Sequence, residues 1–195
     1  HRTPILGAND GASGVGVLME IARALSTTPT ELGIDIIFFD AEDYGTHNAD
    51  DNPMRVTMDH SWALGSQYWS RRPHKRGYNA RYGILLDLVG APGSTFYQDG
   101  ISLEYASNIV DKVWNMAHKI GHGEYFIKQK GGYVTDDHYY VNEFMRLPCI
   151  DIINYDEESE NGFGIYHHTI KDDMQWIDRG SLRAVGETVV AVIYN

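Results

Sequence analysis

The chain has 195 residues, a length that predicts one domain, and 43% of them are hydrophobic, which is enough for a substantial core. A formal net charge of -11 argues against nucleic acid and anionic membrane surfaces as main partners. No apolar run approaches the roughly 20 residues of a membrane-spanning helix. The single cysteine, Cys149, excludes an internal disulfide and a zinc site built from cysteines.

The first two predicted elements are a helix and a strand. Asp10 precedes the helix and suits its N-cap position. From Val15 to Leu25 apolar residues cover most of the helical surface, so we expect a central, buried helix. Residues 34–39 are β-branched or aromatic and too few for a helix, which predicts a buried central strand.

The rest of the chain continues this alternation. In chain order, the sequence predicts a surface loop over 46–59, a helix over 61–70 and a strand over 82–90. It then predicts a helix over 103–120, a strand over 148–155 and a helix over 182–194. A further short helix is expected to open at 136–138. Strands alternating with helices predict an α/β fold, a three-layer sandwich whose central, mostly parallel sheet is flanked by helices.

Acidic and histidine residues follow several of these segments. Glu42 and Asp43, at the carboxyl end of a buried strand, would be costly there without a cation or a shared proton, although a solvated acidic loop is the simpler alternative. Ligands bind at the carboxyl ends of strands in open α/β sheets. Asp10, Asp43 and one of His167 and His168 would form a three-ligand zinc site, with Glu42 free to move protons.

These segments resemble the motifs of the M28 zinc exopeptidases over most of the chain. Residues 7–15 resemble the family's motif with a zinc-binding aspartate. Residues 38–43 resemble its strand that ends in the catalytic base followed by a zinc ligand, and residues 168–173 resemble its last zinc-ligand motif. Within that superfamily, residues 85–96 and 134–138 are more similar to the glutaminyl cyclases.

The resemblance implies a role for individual residues. The resemblance assigns Asp10, Asp43 and His168 to zinc binding, Glu42, Asp136 and Asp87 to catalysis, and Thr135 and His167 to substrate binding. Glu42 matches the family's catalytic acid/base. Asp136 and Asp87 match the carboxylates that form hydrogen bonds near this glutamate and hold the substrate amine. Asp87 has two further interpretations, a structural hydrogen-bonding role and a ligand of a second metal.

Three features depart from the family pattern. Asp43 stands where the usual ligand is a glutamate, so zinc would sit closer to the strand. His167 stands where animal cyclases have tryptophan, which changes the pocket wall and offers a competing ligand. The family's N-terminal strands, with the His-x-Asp motif that supplies a further ligand in two-zinc peptidases, have no counterpart in residues 1–195.

The leading hypothesis is a single catalytic domain that binds one zinc ion and cyclises N-terminal glutamine of peptides or proteins to pyroglutamate, releasing ammonia. The first alternative is an M28-type aminopeptidase with a second zinc. The other is a non-catalytic binding module or truncated pseudoenzyme. Because the chain opens at His1, we expect a processed product or fragment, and only the family resemblance favours a periplasmic or secreted location.

Overall fold

The computed structural model describes residues 3–45, 61–155, 159 and 161–195. The helices are α1 (Ala12–Thr27), α2 (Leu64–Arg71), α3 (Gly100–Lys119), α4 (Asp137–Tyr140) and α5 (Arg179–Ile193). The strands are β1 (Gly83–Asp87), β2 (Phe96–Gln98), β3 (Phe126–Lys130) and β4 (Cys149–Ile153). There are also a π-helical turn over Val141–Met145 and a 3-10 turn over Met174–Trp176. The predicted loop over 46–59 lies outside the described residues.

Both strand pairs in the described part of the chain are parallel. β1 pairs with β4, which places Gly83 opposite Cys149 and Asp87 opposite Ile153. β2 pairs with β3 and also contacts β4. Helix α3 packs on β4 and β3, while α1 packs on β1 and α5 packs on α1 and α3. Parallel strands covered by helices confirm the predicted α/β fold class.

Helix α3 organises the main core. Its apolar face is buried as the helical spacing predicts, with Val110, Val113 and Trp114 fully inaccessible. The Trp114 ring packs edge-on against Phe126, with 5.3 Å between ring centroids, and its Nε1 donates to the carbonyl oxygen of Phe96 at 3.0 Å. These two contacts fasten the helix to the β2–β3 pair.

The segment predicted as a buried central strand is extended but belongs to no strand pair of the described chain. It lines a cleft of about 590 Å³, and residues of β1 line the same cleft. Phe38 is 55% exposed, whereas the side chains of Ile36, Ile37 and Phe39 are partly buried. The prediction was wrong because an apolar run encodes an extended backbone, whereas a strand also needs a neighbour that bonds to its edge.

Two expectations for the first helix were also wrong. Asp10 does not cap α1; Gly11 occupies the N-cap position and no side chain caps the helix. The helix is buried along one side only, where Val17 and Ile21 lie in the core, while Met19 is 63% exposed. Apolar residues spread round a helix do not reveal which side meets the sheet. The absence of a capping bond leaves the Asp10 carboxylate available for the site described below.

Strands β2 and β3 were not predicted from the sequence. β2 has three residues, and β3 is mostly exposed because only Phe126 of its five side chains is buried. Such short or polar segments carry no clear apolar period. The interpretation of Cys149 as a core residue agrees with the structure, in which its thiol is free and buried. Within the described residues, no helix combines the length and apolarity that crossing a membrane requires.

Candidate metal centre and acid cluster

Asp10 occupies the turn before α1, and this turn is held from three sides. The carboxylate of Asp172 accepts hydrogen bonds from the backbone N–H groups of Asn9 at 2.8 Å and Asp10 at 3.0 Å. The Asn9 amide is itself fixed, accepting from the backbone of Gly90 at 2.7 Å and donating to the hydroxyl of Tyr166 at 3.2 Å. The turn that carries Asp10 is therefore fixed by residues from the middle and the end of the chain.

Glu42 and Asp43 follow the extended segment along the cleft. The carbonyl oxygens of residues 40–42 accept hydrogen bonds from the backbone N–H groups of residues 63–65, at 2.9 to 3.1 Å. The last two of those donors belong to the first turn of α2, whose N–H groups have no partner within the helix. The start of α2 thus holds the acidic turn in place and directs it towards the cleft.

His167 and His168 both lie next to the Asp10 carboxylate. Their rings stack with centroids 3.8 Å apart, and the Nε2 atom of each lies 3.4 Å from Oδ2 of Asp10. Nε2 of His168 also forms a 2.8 Å hydrogen bond with Oδ1 of Asp43. One ligand atom each from Asp10, His167 and His168 lie within 4.8 Å of one another. Asp10, His167 and His168 therefore form one donor cluster, and Asp43 contacts this cluster through His168.

Backbone strain accompanies the same residues. Five non-glycine residues of the described chain have left-handed φ values, and three of them adjoin or belong to the site. Ala41 precedes Glu42 with φ 54°, Leu88 follows Asp87 with φ 51°, and His168 itself has φ 56°. This conformation costs free energy for residues with a Cβ atom and concentrates at functional sites.

The acids of the cleft carry more negative charge than their surroundings neutralise. Burial, and next the charge of Asp136, raises the pKa of Glu42 to about 11. Burial and then the charge of Asp137 raise the pKa of Asp136 to about 8. Burial and then the charge of Asp136 raise the pKa of Asp87 well above its usual value. The described residues that line the cleft include no lysine or arginine, so this cluster either binds a cation or retains protons.

The donor set fits zinc. With zinc–ligand bonds of about 2.1 Å, neighbouring donors of a tetrahedral site lie about 3.4 Å apart. That is the separation of Asp10 Oδ2 from both imidazole nitrogens. Burial is the largest single influence on the pKa of Asp43 and acts to raise it, but the hydrogen bonds with His168 and Glu42 and the charges of the two histidines together bring the pKa below its usual value. Hydrogen bonds with Asp10 and Asp43 raise the pKa of His168 to about 10, so the imidazole already holds a positive charge where a metal ion would place one.

The structure brings together most of the predicted site. Asp10, Asp43 and His168 meet as described, and Glu42, Asp87 and Asp136 line the cleft beside them. His167 lies within the cluster of zinc-type donors, although we assigned it to substrate binding. Thr135 is exposed and is not among the described residues that line the cleft. The individual roles of these residues stay predictions.

The side chains that fix the site residues through hydrogen bonds carry no distinguishing pattern in the sequence. Asp172 was noted only as part of a ligand motif, and the fixing role of Asn9 was not predicted. Asp151, a completely buried carboxyl group in β4, was not predicted either. An aspartate within the apolar run 149–153 was the available signal, because a buried carboxylate needs a partner.

We expect Asp172→Asn to weaken zinc binding by about 10- to 100-fold, the usual effect of losing a group that orients a metal ligand. An amide offers one oxygen where the carboxylate accepts two backbone bonds, so the Asp10 turn would lose one of them. Competition with a chelator measures the affinity. Asp173→Asn is the matched control, since the neighbouring Asp173 accepts from the Gln175 N–H and caps the 3-10 turn. Equal affinities for the two variants would contradict this role.

Comparison with known proteins finds a matching family model and several similar solved structures. Residues 1–193 match the sequence model of peptidase family M28. A glutaminyl cyclase from Bacteroides thetaiotaomicron, solved with N-acetylhistamine bound, is 54% identical over 100% of this chain and 65% of its own, with a TM-score of 0.92. A Zn-dependent exopeptidase from Parabacteroides distasonis is 53% identical with the same coverage and TM-score.

A third solved structure is described as a leucine aminopeptidase precursor. It also comes from Bacteroides thetaiotaomicron, is 54% identical over 100% of this chain and 64% of its own, and has a TM-score of 0.90. The chain therefore spans 64 to 65% of the length of these three proteins. The similarity extends over the whole of the acid cluster.

Proposed function

The chain belongs to peptidase family M28, and on that premise we propose that the protein is a zinc-dependent glutaminyl-peptide cyclotransferase that uses one zinc ion. Its substrates are peptides or proteins that begin with glutamine. The reaction joins the α-amine nitrogen to the carbon of the γ-carboxamide, breaks the bond from that carbon to the amide nitrogen, and releases ammonia. Because both reacting groups belong to one residue, ring closure carries a small entropic cost.

One observation carries the proposal. The zinc-type donors of Asp10, Asp43 and His168 meet beside two protonatable carboxyl groups, Glu42 and Asp136, in a cleft that opens to solvent. Oδ2 of Asp136 is buried and has no hydrogen-bond partner. Asp136 also lines the cleft, where its carboxyl group can accept an N–H from a bound amine. The cyclase that is 54% identical over the whole of this chain supports the same assignment.

Each carboxylate has a separate task in this proposal. Glu42 accepts the proton that the α-amine loses as it attacks, and passes it to the departing ammonia. Asp136 accepts a hydrogen bond from the amine and orients its lone pair. Asp87, on the neighbouring strand, adds negative charge that favours a bound amine. Asp10, Asp43 and His168 would hold the zinc ion, which supplies Lewis-acid polarisation of a carbonyl group when bound.

The aminopeptidase alternative keeps one specific support, the leucine aminopeptidase precursor that is 54% identical to this chain. In that alternative Asp87 binds a second zinc ion and Glu42 activates a water molecule. Among the described residues the zinc-type donors form a single group, around Asp10, which favours one zinc ion. The convergence of Asp10, Asp43 and His168 argues against a non-catalytic binding module.

Metal analysis combined with two substrates tests the proposal. We expect one zinc per chain and release of ammonia from a peptide that begins with glutamine, while the 4-nitroanilide of leucine remains intact. Removal of zinc with a chelator should abolish ammonia release, and added zinc should restore it. Two tightly bound zinc ions together with anilide hydrolysis would overturn the cyclase in favour of the aminopeptidase.

A further inference from the structure

Four rings in contact form an aromatic row that ends on His168, the histidine of the proposed zinc site. The row consists of Tyr155, Phe163, His167 and His168. The centroids of its first two rings lie 5.2 Å apart with the rings edge-on, and those of Phe163 and His167 lie 4.7 Å apart with the planes tilted by 33°. The last two rings stack most closely, with centroids 3.8 Å apart and planes within 19° of parallel.

The beginning of the aromatic row is fixed to the core. Tyr155 lies two residues after the end of β4, and both Tyr155 and Phe163 pack against a buried cluster that includes Leu88 and Ile153. The chain approaches the Tyr155 ring so closely at Gly162 that a Cβ atom there would overlap it, and Gly162 has a left-handed φ of 79°. A glycine allows both features. The first two rings are therefore held against the end of the sheet.

The His167 ring is held through its two faces. One face meets Phe163 and the other meets His168. Within the described residues, neither ring nitrogen of His167 forms a hydrogen bond. Its Nε2 lies 3.4 Å from Oδ2 of Asp10, whereas N–H···O hydrogen bonds are usually about 2.7–3.2 Å long. Because both faces are covered, neither remains for a substrate to stack on.

The His168 ring lacks the support that a metal-binding histidine usually has. Such a histidine commonly donates its second ring N–H to an oxygen, which fixes the orientation of the ring. In the described part of the chain Nδ1 of His168 has no such partner, and its contacts with Asp10 at 3.4 Å and Asp43 at 2.8 Å both use Nε2. Nε2 is also the atom that would bind zinc. The face of His167 is therefore the ring contact that remains when Nε2 is occupied.

The backbone at His168 adds to this need for support. Its φ of 56° lies in the left-handed region, which is unfavourable for a residue with a Cβ atom. Such a conformation persists only where the surroundings fix it. The stacked ring of the preceding residue provides one such restraint.

The stacking also decides which of the two histidines can bind the ion. An imidazole binds a metal through a nitrogen lone pair that lies in the plane of the ring. Two nearly parallel rings stacked at 3.8 Å cannot both contain one ion in their planes. His168 contacts both Asp10 and Asp43, whereas His167 contacts only Asp10 among the acids of the proposed zinc site. His168 is therefore the better ligand.

We propose that His167 is a positioning residue, which holds the His168 imidazole in its zinc-binding orientation through ring stacking and does not itself bind the ion. The aromatic row transmits the rigidity of the core at the end of β4 to this exposed ligand. This inference rests on the proposed function for the identity of the metal ion. It assigns the role of His167 to the face of its ring and not to its nitrogen atoms.

Two substitutions of His167 separate the ring from its nitrogens. His167→Ala should weaken zinc binding by about 10- to 100-fold, the usual effect of losing a group that orients a metal ligand. His167→Phe keeps a ring that can stack, so its zinc affinity should stay within about threefold of the unmodified protein. Competition with a chelator measures both. Equal losses in the two variants, or no loss with alanine, would overturn the proposal.

His122→Ala is the matched control for the alanine variant. The side chains of His122 and His167 are equally exposed, at 16%, and His122 also contacts an aromatic ring, that of Tyr125. His122 bonds to Glu187 and is not among the described residues that line the cleft. Its removal should leave zinc affinity unchanged. A loss as large as that of His167→Ala would overturn the proposal, because the effect would then follow from removing any such histidine.

A second measurement needs no variant. X-ray absorption spectra of the unmodified, zinc-loaded protein should show one imidazole bound to zinc, and two would overturn the proposal even if His167→Ala failed to fold. Neither measurement uses a substrate. If peptides that begin with glutamine were not cyclised but the two His167 variants differed as expected, the proposed function would fall and the positioning role would stand. Cyclisation together with equal zinc affinities for the two variants would give the opposite result.

Discussion

Replacing Glu42 with glutamine should lower kcat for ammonia release by ~10²–10⁴-fold, the range that general acid–base catalysis contributes. Glutamine keeps the shape of the side chain but cannot accept the proton of the attacking amine. Burial, and next the charge of Asp136, raises the pKa of Glu42 to about 11, and the positive charge of bound zinc would lower that pKa so that the carboxylate could accept a proton. Zinc content should stay unchanged, because Asp10, Asp43 and His168 supply the proposed ligands.

The control for this substitution is Glu31→Gln, which makes the same chemical change at an exposed position before the extended segment. It should retain full activity. The assignment of Glu42 would fail if Glu42→Gln kept more than about a tenth of the unmodified rate. Loss of zinc from the same variant would also contradict it, since Glu42 would then be a ligand and not the acid/base. Zinc analysis and initial rates on one sample distinguish these results.

Truncating Trp114 to alanine should cost about 3–5 kcal/mol in the free energy of unfolding. The side chain is completely buried, and its removal would leave a cavity between α3 and the β2–β3 pair. It would also leave the carbonyl oxygen of Phe96 without the indole donor that now lies 3.0 Å away. Because domains are stable by only about 5–15 kcal/mol, this change should shift the urea midpoint strongly.

The companion variant Trp114→Phe removes the hydrogen bond with a smaller loss of volume than Trp114→Ala. It keeps an aromatic ring against Phe126 and loses only the indole donor and some volume, so its cost should be clearly smaller. Urea titrations followed by circular dichroism give both values. A loss below about 1 kcal/mol for Trp114→Ala would show that this contact does not anchor the core.

Predictions from local pattern succeeded where the signal lies in neighbouring residues. The apolar spacing of α3, α5 and α1 predicted those helices to within a few residues of their observed ends, and the apolar runs around β1 and β4 predicted both strands. The periods of helices and strands follow from backbone geometry, so they can be recognised in the sequence without knowledge of the tertiary structure.

The segment 34–40 shows what such patterns omit. Its composition predicted a buried strand, yet in the described chain it is extended, partly exposed and unpaired. Burial and pairing depend on which other segments lie beside it, and this information is not in the segment. The exposed side of α1 is a second case, because only contact with β1 and α5 decides which residues are covered.

For the site, the sequence by itself determined the chemical types: adjacent carboxylates after an extended run, an aspartate before a helix, and paired histidines near the end of the chain. Only the tertiary structure decided that Asp10, Asp43 and His168 meet, and that Asp172 and Asp151 lie behind the acids. The reason is physical. Ionisable side chains obtain their roles from distance and burial, and both depend on how segments separated by more than a hundred residues pack together.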